Sequence, residues 1–330
     1  MATFTAHGAA LKKRIPQLKT GYNPWSFLTG DDPFIQLIVK HQAKDEFSAD
    51  LYFEYHHEGA IGLPHGGLAM GLCLDVWRNY GLPKYPVRAM FRFGGSGLRI
   101  GEKAQLQANV CIDHRGPVFV ASITKYGDKK PYLRTEIVSL DETNLGTVNI
   151  GEVQAVTRLL PYYRNCFVCG HHRERVGLNR RFRYHDTPSW QGVSVLWGAG
   201  DDDLERARCF LIGKQELHPA VISSIFDENT GWAGFLRTKG AGLTVRMELN
   251  LLRPVGVRDQ LLFIGQPDGI RGSINNPRFF TASGTVFVMN SGGMPVPVAS
   301  GAGEWIILQS MTDQVKRNLL PENDWEWIFE

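Results

Sequence analysis

The chain has 330 residues, enough for two domains of ordinary size, since a single domain usually has about 100–150 residues. Hydrophobic residues make up 43% and charged residues 21% of the sequence, which is typical of a globular protein and excludes a disordered chain. The formal net charge of +3 is too small to indicate nucleic acid as a partner.

Two runs of similar elements follow one another along the sequence. After an N-terminal extension, residues 1–30, a first unit over residues 31–157 contains strand-like alternation, one apolar helix at about residues 66–80, and further strands bounded by turn residues. A linker, residues 158–164, leads to a second unit over residues 165–311, with its helix at about residues 219–236. Residues 312–330 form a C-terminal tail, whose aromatic side chains are expected to pack on the body of the protein.

The two units share residues at regular offsets. Phe119 matches Phe280, 161 residues later, and His65 matches His218, 153 residues later. The order of the matching segments is kept, so we interpret the repeat as an internal duplication. Both helices are apolar on most faces and must therefore be surrounded by sheet. One long apolar helix wrapped by one curled antiparallel sheet, twice, predicts an α+β protein.

Several motifs resemble those of a known family. His65-Gly66-Gly67 opens the first helix, NCFVCG at residues 165–170 opens the second unit, and MELNLLRPV at residues 247–255 contains an Arg-Pro pair. These features resemble the hotdog fold and, more narrowly, the phenylacetate-pathway (PaaI-like) type of acyl-CoA thioesterase. The resemblance implies tandem hotdog domains, an acyl thioester as substrate, and a helical acid nine residues after the motif histidine.

The first unit keeps the turn of that pattern but not its acid. Leu74 stands nine residues after His65, and Asp75 stands one position later. The start of a helix offers backbone N–H groups without intrahelical partners, which can hold a developing oxyanion. Gly66 is therefore the predicted oxyanion donor, Gly67 is expected to let the acyl group approach, and His65 joins them as a cap or as a catalytic group.

The second unit keeps the acid but not the turn. Asp227 stands nine residues after His218 and is followed by Glu228, whereas Pro219 replaces a glycine and has no N–H to donate. Asp227 is the predicted general base or nucleophile. If the helix were rotated by one residue, Glu228 and Asp75 would be the working acids, and they are secondary candidates together with His218.

A turn and an acid on one helix lie too far apart to act together, because eight residues span about 12 Å. In the resembled family, two such helices pack antiparallel, so that the start of one faces the middle of the other. We therefore predict one composite site, in which Gly66 and Gly67 of the first unit act with Asp227 of the second. The other site is expected to be impaired.

Three further residues are candidates for substrate contact. Arg253 and Arg278 could bind the phosphates of coenzyme A, and Trp232 could line a broad aromatic pocket for the acyl group. No cofactor is expected. Because the duplication supplies a pair of units within one chain, homo-oligomers of such pairs are a further expectation.

A zinc site is the alternative explanation of Cys166 and Cys169, which have the spacing of zinc ligands and are followed by His171 and His172. No second Cys or His pair stands at the usual spacing, so we predict no metal and interpret this segment as a structural turn. The chain has five cysteines, an odd number that argues against a disulfide framework and for reduced thiols.

Other function classes are excluded by their missing motifs. The sequence has no Walker phosphate loop, no complete Gly-x-Gly-x-x-Gly, no Gly-x-Ser-x-Gly and no His-Glu-x-x-His. It also has no apolar segment of signal-peptide or membrane-spanning length, which predicts a cytoplasmic protein without a membrane partner.

Three hypotheses remain. The first is hydrolysis of an acyl-CoA or acyl-carrier thioester. The second is a lyase, dehydratase or cyclase that acts on a thioester-bound acyl chain, and the third is a non-catalytic protein that binds acyl thioesters.

Overall fold

The structure is a computed structural model and describes residues 33–43, 46–95, 97–140, 157–171, 173, 177–188, 190–198, 200–213, 215–273, 276–289, 294–320 and 325–329. The predicted N-terminal extension, residues 1–30, lies outside the described residues. So does His172 of the cysteine-containing segment.

The first part of the chain contains one long helix among its strands. In chain order its elements are β1 (Leu37–Gln42), β2 (Glu46–Tyr52), β3 (Glu58–Ala60), β4 (Leu63–Pro64), α1 (Gly66–Tyr80), β5 (Val87–Phe93), β6 (Lys103–Asp113), β7 (Gly116–Lys125) and β8 (Leu133–Ser139).

The second part repeats this plan and adds a short helix at its C-terminal end. Its elements are β9 (Thr157–Leu159), β10 (Tyr162–Tyr163), β11 (Arg183–Asp186), β12 (Gln191–Trp197), α2 (Asp201–Ala207), β13 (Leu211–Ile212), β14 (Glu216–Leu217), α3 (Pro219–Thr238), β15 (Gly242–Leu251), β16 (Leu261–Ser273), β17 (Asn276–Val288), β18 (Val296–Ile307), α4 (Gln309–Asn318) and β19 (Leu319–Leu320).

One large antiparallel sheet runs through both parts. Within the described residues it has thirteen strands in the order β1-β2-β6-β7-β8-β5-β15-β18-β17-β16-β12-β11-β9. The central pair is β5 and β15, in which Phe91 lies opposite Met247 and Ala89 opposite Leu249. Outward from this pair, β8, β7, β6, β2 and β1 on one side correspond to β18, β17, β16, β12 and β11 on the other. The two parts are therefore joined by backbone hydrogen bonds into a continuous sheet.

The two long helices begin at their predicted positions. α1 starts after His65 and ends at Gly81, whose φ of 71° closes the helix in the left-handed conformation that glycine adopts without strain. α3 starts after His218, with Pro219 at its first position, where a missing N–H is tolerated. Almost every residue in the first three turns of each helix is buried, as expected for helices wrapped by sheet.

α1 and α3 pack directly on each other at a point where one residue has no side chain. A Cβ on Gly67 would lie 2.2 Å from the Cα of Ser224, so the backbones touch there. The hydroxyl of the neighbouring Ser223 donates to the carbonyl oxygen of Gly67 at 2.9 Å. This close contact sets the first turn of α1 against the middle of α3.

The predicted linker and tail both pack on the second part of the chain. β9 pairs with β11, and β10 pairs with β19 of the tail. Trp327 stacks on Tyr184 with ring centroids 5.7 Å apart. The described residues of the tail therefore pack on the body of the protein, and residues 157–163 are held by two strand pairings instead of forming a free connection.

The α+β class and the antiparallel sheet around long apolar helices are confirmed. The division into two tandem hotdog domains, with its boundaries, stays a prediction. Among the residues that the structure describes, there is no helix whose length and apolar character would let it span a membrane.

Candidate functional site

The first turn of α1 meets the middle of α3 through the side chain of His65. Its Nδ1 accepts from the backbone N–H of Gly67 at 3.0 Å, which caps the helix. Its Nε2 lies 3.3 Å from Oε2 of Glu228. His65 has 3% of its surface exposed, whereas the side chain of Glu228 is 20% exposed, so this contact is buried on the α1 side and open to the cavity on the α3 side.

Gly66 lies directly against the carboxylate of Asp227. A Cβ at Gly66 would be 2.8 Å from Oδ2 of Asp227, a distance that only glycine permits. No hydrogen-bond acceptor among the described residues pairs with the Gly66 N–H, which lies at the positive end of the α1 dipole. Gly66 and a carboxylate oxygen of Asp227 thus lie next to each other and border the same cavity.

The other carboxylate oxygen of Asp227 is held in place. Its Oδ1 accepts from the hydroxyl of Thr244, in β15, at 2.8 Å, while Oδ2 points towards Gly66 and lies 3.9 Å from Nδ1 of His65. Burial raises the pKa of Asp227 above its ordinary value, although His65 and the Thr244 hydroxyl act in the opposite direction. The raised pKa makes Oδ2 a better proton acceptor than an ordinary aspartate.

A cavity of about 460 Å³ opens onto this pair of residues. Gly66, Asp227 and Glu228 border it together with His65. The remaining walls are mostly apolar and aromatic, and include Phe93, Tyr132, Trp232, Phe235, Phe280, Trp305 and, from α4, Met311 and Val315. The cavity therefore offers a polar, reactive end and an apolar space that suits an uncharged acyl group.

Cys166 contributes to the polar cluster behind this cavity. Burial alone raises the pKa of Cys166, but hydrogen bonds with Cys169 and His65 outweigh burial and lower it to about 7. Burial also acts against ionisation of Glu228, yet its hydrogen bond with His65 lowers the pKa of that carboxyl. Hydrogen bonds from neighbouring side chains thus favour the charged form of both acidic groups, and His65 is a partner of each.

The imidazole of His65 is subject to two opposing effects. Burial lowers its pKa, but the hydrogen bonds with Cys166 and Glu228 prevail and raise it. The bond from the Gly67 N–H, in contrast, requires a lone pair on Nδ1. The Gly67 contact therefore fits the neutral ring with its proton on Nε2, whereas the contacts with Cys166 and Glu228 favour the doubly protonated ring.

The start of α3 repeats the cap without the reactive pair. Nδ1 of His218 accepts from the N–H of Ala220 at 2.9 Å, and its Nε2 bonds to Oδ1 of Asp75 at 2.7 Å. Pro219 has no N–H to offer, and Leu74, which is fully buried, occupies the position equivalent to Asp227. This helix start holds a buried hydrogen bond between His218 and Asp75, and position 219 offers no N–H beside it.

The predicted site residues thus separate into two groups. His65, Gly66, Asp227, Glu228 and Trp232 border one cavity, whereas Asp75 and His218 pair with each other at the start of α3. The role of Glu228 and Asp75 as alternative working acids stays a prediction. Each of them bonds to the histidine that caps the opposite helix.

Gly67 has a different position from the one expected. It was predicted to admit the acyl group, but its Cα faces the backbone of Ser224, and it is not among the residues that border the cavity. Its missing side chain permits the packing of α1 on α3. The close approach to the reactive end of the cavity takes place at Gly66 instead.

The two predicted phosphate contacts lie outside the cavity. Arg253 follows the end of β15, whereas Thr244 lies near the start of that strand, and the strand residues from 244 to 251 alone span about 23 Å. Arg278 is exposed near the start of β17. Of the described residues that border the cavity, none is an arginine or a lysine.

Sequence reasoning missed two kinds of residue. Thr244 and Tyr132 are brought to the cavity by strands of the sheet, and nothing in their local sequence distinguishes them. Cys166 and Cys169 did give a signal, through their spacing. The contact of Cys166 with His65, however, depends on a fold that joins positions 101 residues apart, since the cluster combines residues 65 and 166.

Comparisons with known proteins give similarity of structure only. Neither protein-family models nor curated protein sequences match the chain. Among solved structures, the tesB protein of Mycobacterium avium subs paratuberculosis has a TM-score of 0.53 at 11% identity, over 82% of this chain and 96% of that one. A candidate thioesterase from Novosphingobium aromaticivorans has a TM-score of 0.51 at 14% identity, over 82% of this chain and 98% of that one.

A protein of another activity is about as similar. The bifunctional dehydratase-cyclase domain of ambruticin biosynthesis has a TM-score of 0.50 at 13% identity, and the match covers 86% of this chain and 98% of that domain. At such identities the likeness concerns the course of the backbone and not the reaction. The chain therefore shares its fold with proteins named for thioester hydrolysis and with one named for dehydration and cyclisation.

Proposed function

We propose that the chain hydrolyses an acyl thioester in the cavity between α1 and α3. One observation carries this proposal: Gly66, whose N–H has no acceptor among the described residues, and Oδ2 of Asp227 lie against each other at the border of a largely apolar cavity. An oxyanion donor and a base beside an acyl pocket are the groups that acyl transfer to water requires.

The residues suggest a direct sequence of steps. Oδ2 of Asp227 takes a proton from water while the water oxygen forms a bond to the thioester carbonyl carbon. The electron pair of the C=O bond moves to oxygen, where the Gly66 N–H and the α1 dipole stabilise the charge. When the C=O bond re-forms, the C–S bond breaks, and the leaving thiolate receives the proton from Asp227. The products are a free carboxylic acid and a thiol.

The division of labour between α1 and α3 fits a composite site. The donor comes from residue 66 and the base from residue 227, on the two sides of the central β5–β15 pair. We include in the proposal that residues 31–157 and 165–311 are tandem hotdog domains. The corresponding order of strands on the two sides of the sheet supports this division.

The acyl group is proposed to lie against the aromatic wall of the cavity. Coenzyme A or an acyl-carrier prosthetic group would extend from the reactive end towards solvent. Because none of the described residues that border the cavity is an arginine or a lysine, the phosphates of such a carrier would lie beyond it.

The experiment is a panel of acyl-CoA esters, varied in chain length and aromatic character, with the release of free thiol as the readout. Asp227→Asn should abolish thiol release and leave ligand affinity nearly unchanged. Asp75→Asn is the matched control, because Asp75 lies in the middle of the other helix and keeps an acceptor for His218.

The same panel separates the rival functions. Product formation without thiol release would replace hydrolysis by a lyase, dehydratase or cyclase reaction. Tight binding without any product, unaffected by Asp227→Asn, would identify a non-catalytic acyl-thioester-binding protein. Full thiol release by the Asp227→Asn variant would refute the role of this carboxylate.

A further inference from the structure

We propose that His65, Cys166, Cys169 and Glu228 bind a divalent metal ion, with zinc as the expected ion. Nε2 of His65, Sγ of Cys166 and a carboxylate oxygen of Glu228 all lie within 4.8 Å of one another. The nitrogen and oxygen donors are 3.3 Å apart, close to the separation of two ligands bonded to one tetrahedral ion at about 2.0–2.1 Å each.

The turn that carries the two cysteines is shaped to hold a thiolate. Sγ of Cys166 accepts from the backbone N–H of Val168 at 3.3 Å and of Cys169 at 3.4 Å. The Gly170 N–H bonds back to the carbonyl oxygen of Cys166 at 2.8 Å. A Cβ on Gly170 would lie 2.5 Å from that same oxygen, so the turn closes tightly only with glycine after the second cysteine.

Cys169 would join as a fourth donor by a movement of its side chain, since the three donor atoms that already lie within 4.8 Å of one another belong to His65, Cys166 and Glu228. Its thiol is within hydrogen-bonding reach of both Cys166 and Glu228. Both cysteines are free thiols with 1% of their surface exposed, and they face polar groups where a structural cysteine would usually face apolar side chains. Two sulfurs, one imidazole nitrogen and one carboxylate oxygen form a donor set that suits zinc.

Metal binding has a consequence for the proton of His65. A metal ion on Nε2 leaves the proton of the neutral ring on Nδ1, which then cannot accept from the Gly67 N–H. Oδ2 of Asp227, 3.9 Å from Nδ1, could accept that proton. A small rotation of the ring would create the carboxylate–histidine–metal arrangement that is common at zinc sites.

The start of α3 provides an internal comparison. His218 has the same cap and the same contact with an acid of the opposite helix, so a histidine–carboxylate pair alone is a feature of this fold without a metal. The first helix start differs in having two thiols beside the pair. The metal proposal rests on those thiols, and it does not depend on the proposed hydrolysis.

The site would tie together three distant segments of chain. Position 65 lies at the start of α1, the cysteines lie in the segment that follows the predicted linker, and position 228 lies in the middle of α3. Glu228 borders the cavity, which provides a path by which an ion could enter.

The experiment measures metal directly in the full chain, purified without chelators or a histidine tag. Mass spectrometry of the elements should find about one zinc per chain. After removal of the metal, titration with Co²⁺ should give thiolate-to-cobalt charge-transfer absorption that saturates at about one equivalent and disappears on addition of Zn²⁺. Cys166→Ser and Cys169→Ser should lose this absorption, and Cys111→Ser, which removes an exposed thiol of β6, should keep it.

The proposal is overturned if the wild-type chain contains no zinc and its metal-free form gives no thiolate–cobalt absorption. It is also overturned if folded Cys166→Ser binds metal as the wild type does, or if Cys111→Ser alone abolishes binding. Should the serine variants fail to fold, the cobalt titration of the wild-type chain decides the question without them. Thiol release from acyl-CoA plays no part in these measurements, so failure of the proposed hydrolysis would leave them unaffected.

Discussion

His65 and His218 cap the two central helices with the same atoms but in different surroundings. In each case Nδ1 accepts from the N–H two residues later, at 3.0 Å and 2.9 Å, and Nε2 meets a carboxylate of the opposite helix, at 3.3 Å and 2.7 Å. At His218 the contact is a closed, buried pair. At His65 the equivalent pair lies beside a free N–H, a second carboxylate and two thiols. The same histidine cap therefore occurs at both helix starts, but it borders a reactive site at only one of them.

Replacing Gly66 with alanine should reduce activity much more than stability. The new methyl group would lie 2.8 Å from Oδ2 of Asp227 and displace the carboxylate, while alanine is itself the better helix former. We expect kcat for thiol release to fall by about tenfold to a hundredfold, with Tm changed by a few degrees at most. Gly231→Ala is the control, because its methyl group would also border the cavity but meet only Trp305, at an ordinary 3.6 Å. Unchanged kcat in the Gly66 variant would contradict the assigned geometry.

Replacing Gly67 with alanine should have its main effect on stability. Its Cβ would fall 2.2 Å from the Cα and 2.7 Å from the N of Ser224, and backbone cannot move aside as a side chain can. We expect the free energy of unfolding to drop by about 3 kcal/mol or more, measured by urea denaturation. Gly200→Ala, whose methyl group would meet nothing within 4 Å, should change it by less than about 0.5 kcal/mol. Similar values for the two variants would be inconsistent with contact between the helix backbones.

Removal of one partner of the His218–Asp75 pair should be costly. Asp75 has 4% of its side chain exposed and His218 has 1%, so Asp75→Ala would leave a buried imidazole without its acceptor. The expected loss in the free energy of unfolding is about 3 kcal/mol. Glu216→Ala, which breaks the more exposed pair with Arg78, should cost about 1 kcal/mol or less. Chemical denaturation of both variants tests the difference, and equal losses would argue against burial as the cause.

Loss of the Thr244 hydroxyl should shift the pH dependence of the reaction. Its bond to Oδ1 favours the ionised form of Asp227 and lowers the pKa of that carboxyl. In Thr244→Val the pKa of Asp227 should therefore be higher, so that the base becomes protonated at a higher pH and activity at acidic pH decreases. The measurement is kcat/KM against pH, in which the acidic limb should move to higher pH. Thr281→Val, which removes a hydroxyl from an exposed position of β17, should leave that limb in place; movement towards lower pH in Thr244→Val would refute the role of this hydrogen bond.

The sequence indicated the two long helices almost to the residue. Their signals are local, because the capping histidine, the apolar run and the closing Gly81 all lie within one segment. The pairing of Gly66 with Asp227 could also be predicted from the sequence. When two helices pack antiparallel, the start of one lies beside the middle of the other, where an acid can meet it. These features depend on the periodicity of the helix and on the order of elements along the chain.

The remaining features depend on positions that only the folded sheet creates. Arg253 was expected near the substrate because it lies close to a strand end, but it lies at the end of β15 far from Asp227. The role of Gly67 depends on which face of α1 meets α3, and one residue of rotation decides it. Cys166 was identified by its spacing to Cys169. Its other neighbours come from segments far away in sequence, and a rule based on spacing cannot predict them.

Because β5 and β15 pair within one chain, the residues on the two sides of this central strand pair are encoded by different parts of the sequence. If the same strand pair joined two identical chains, any substitution at one helix start would occur at the other as well, and both helix starts would keep the same chemistry. Here position 219, which is equivalent to position 66, can hold a proline while position 66 keeps its glycine. Selection can therefore tune one side for reactivity and the other for rigidity, without compromise between them.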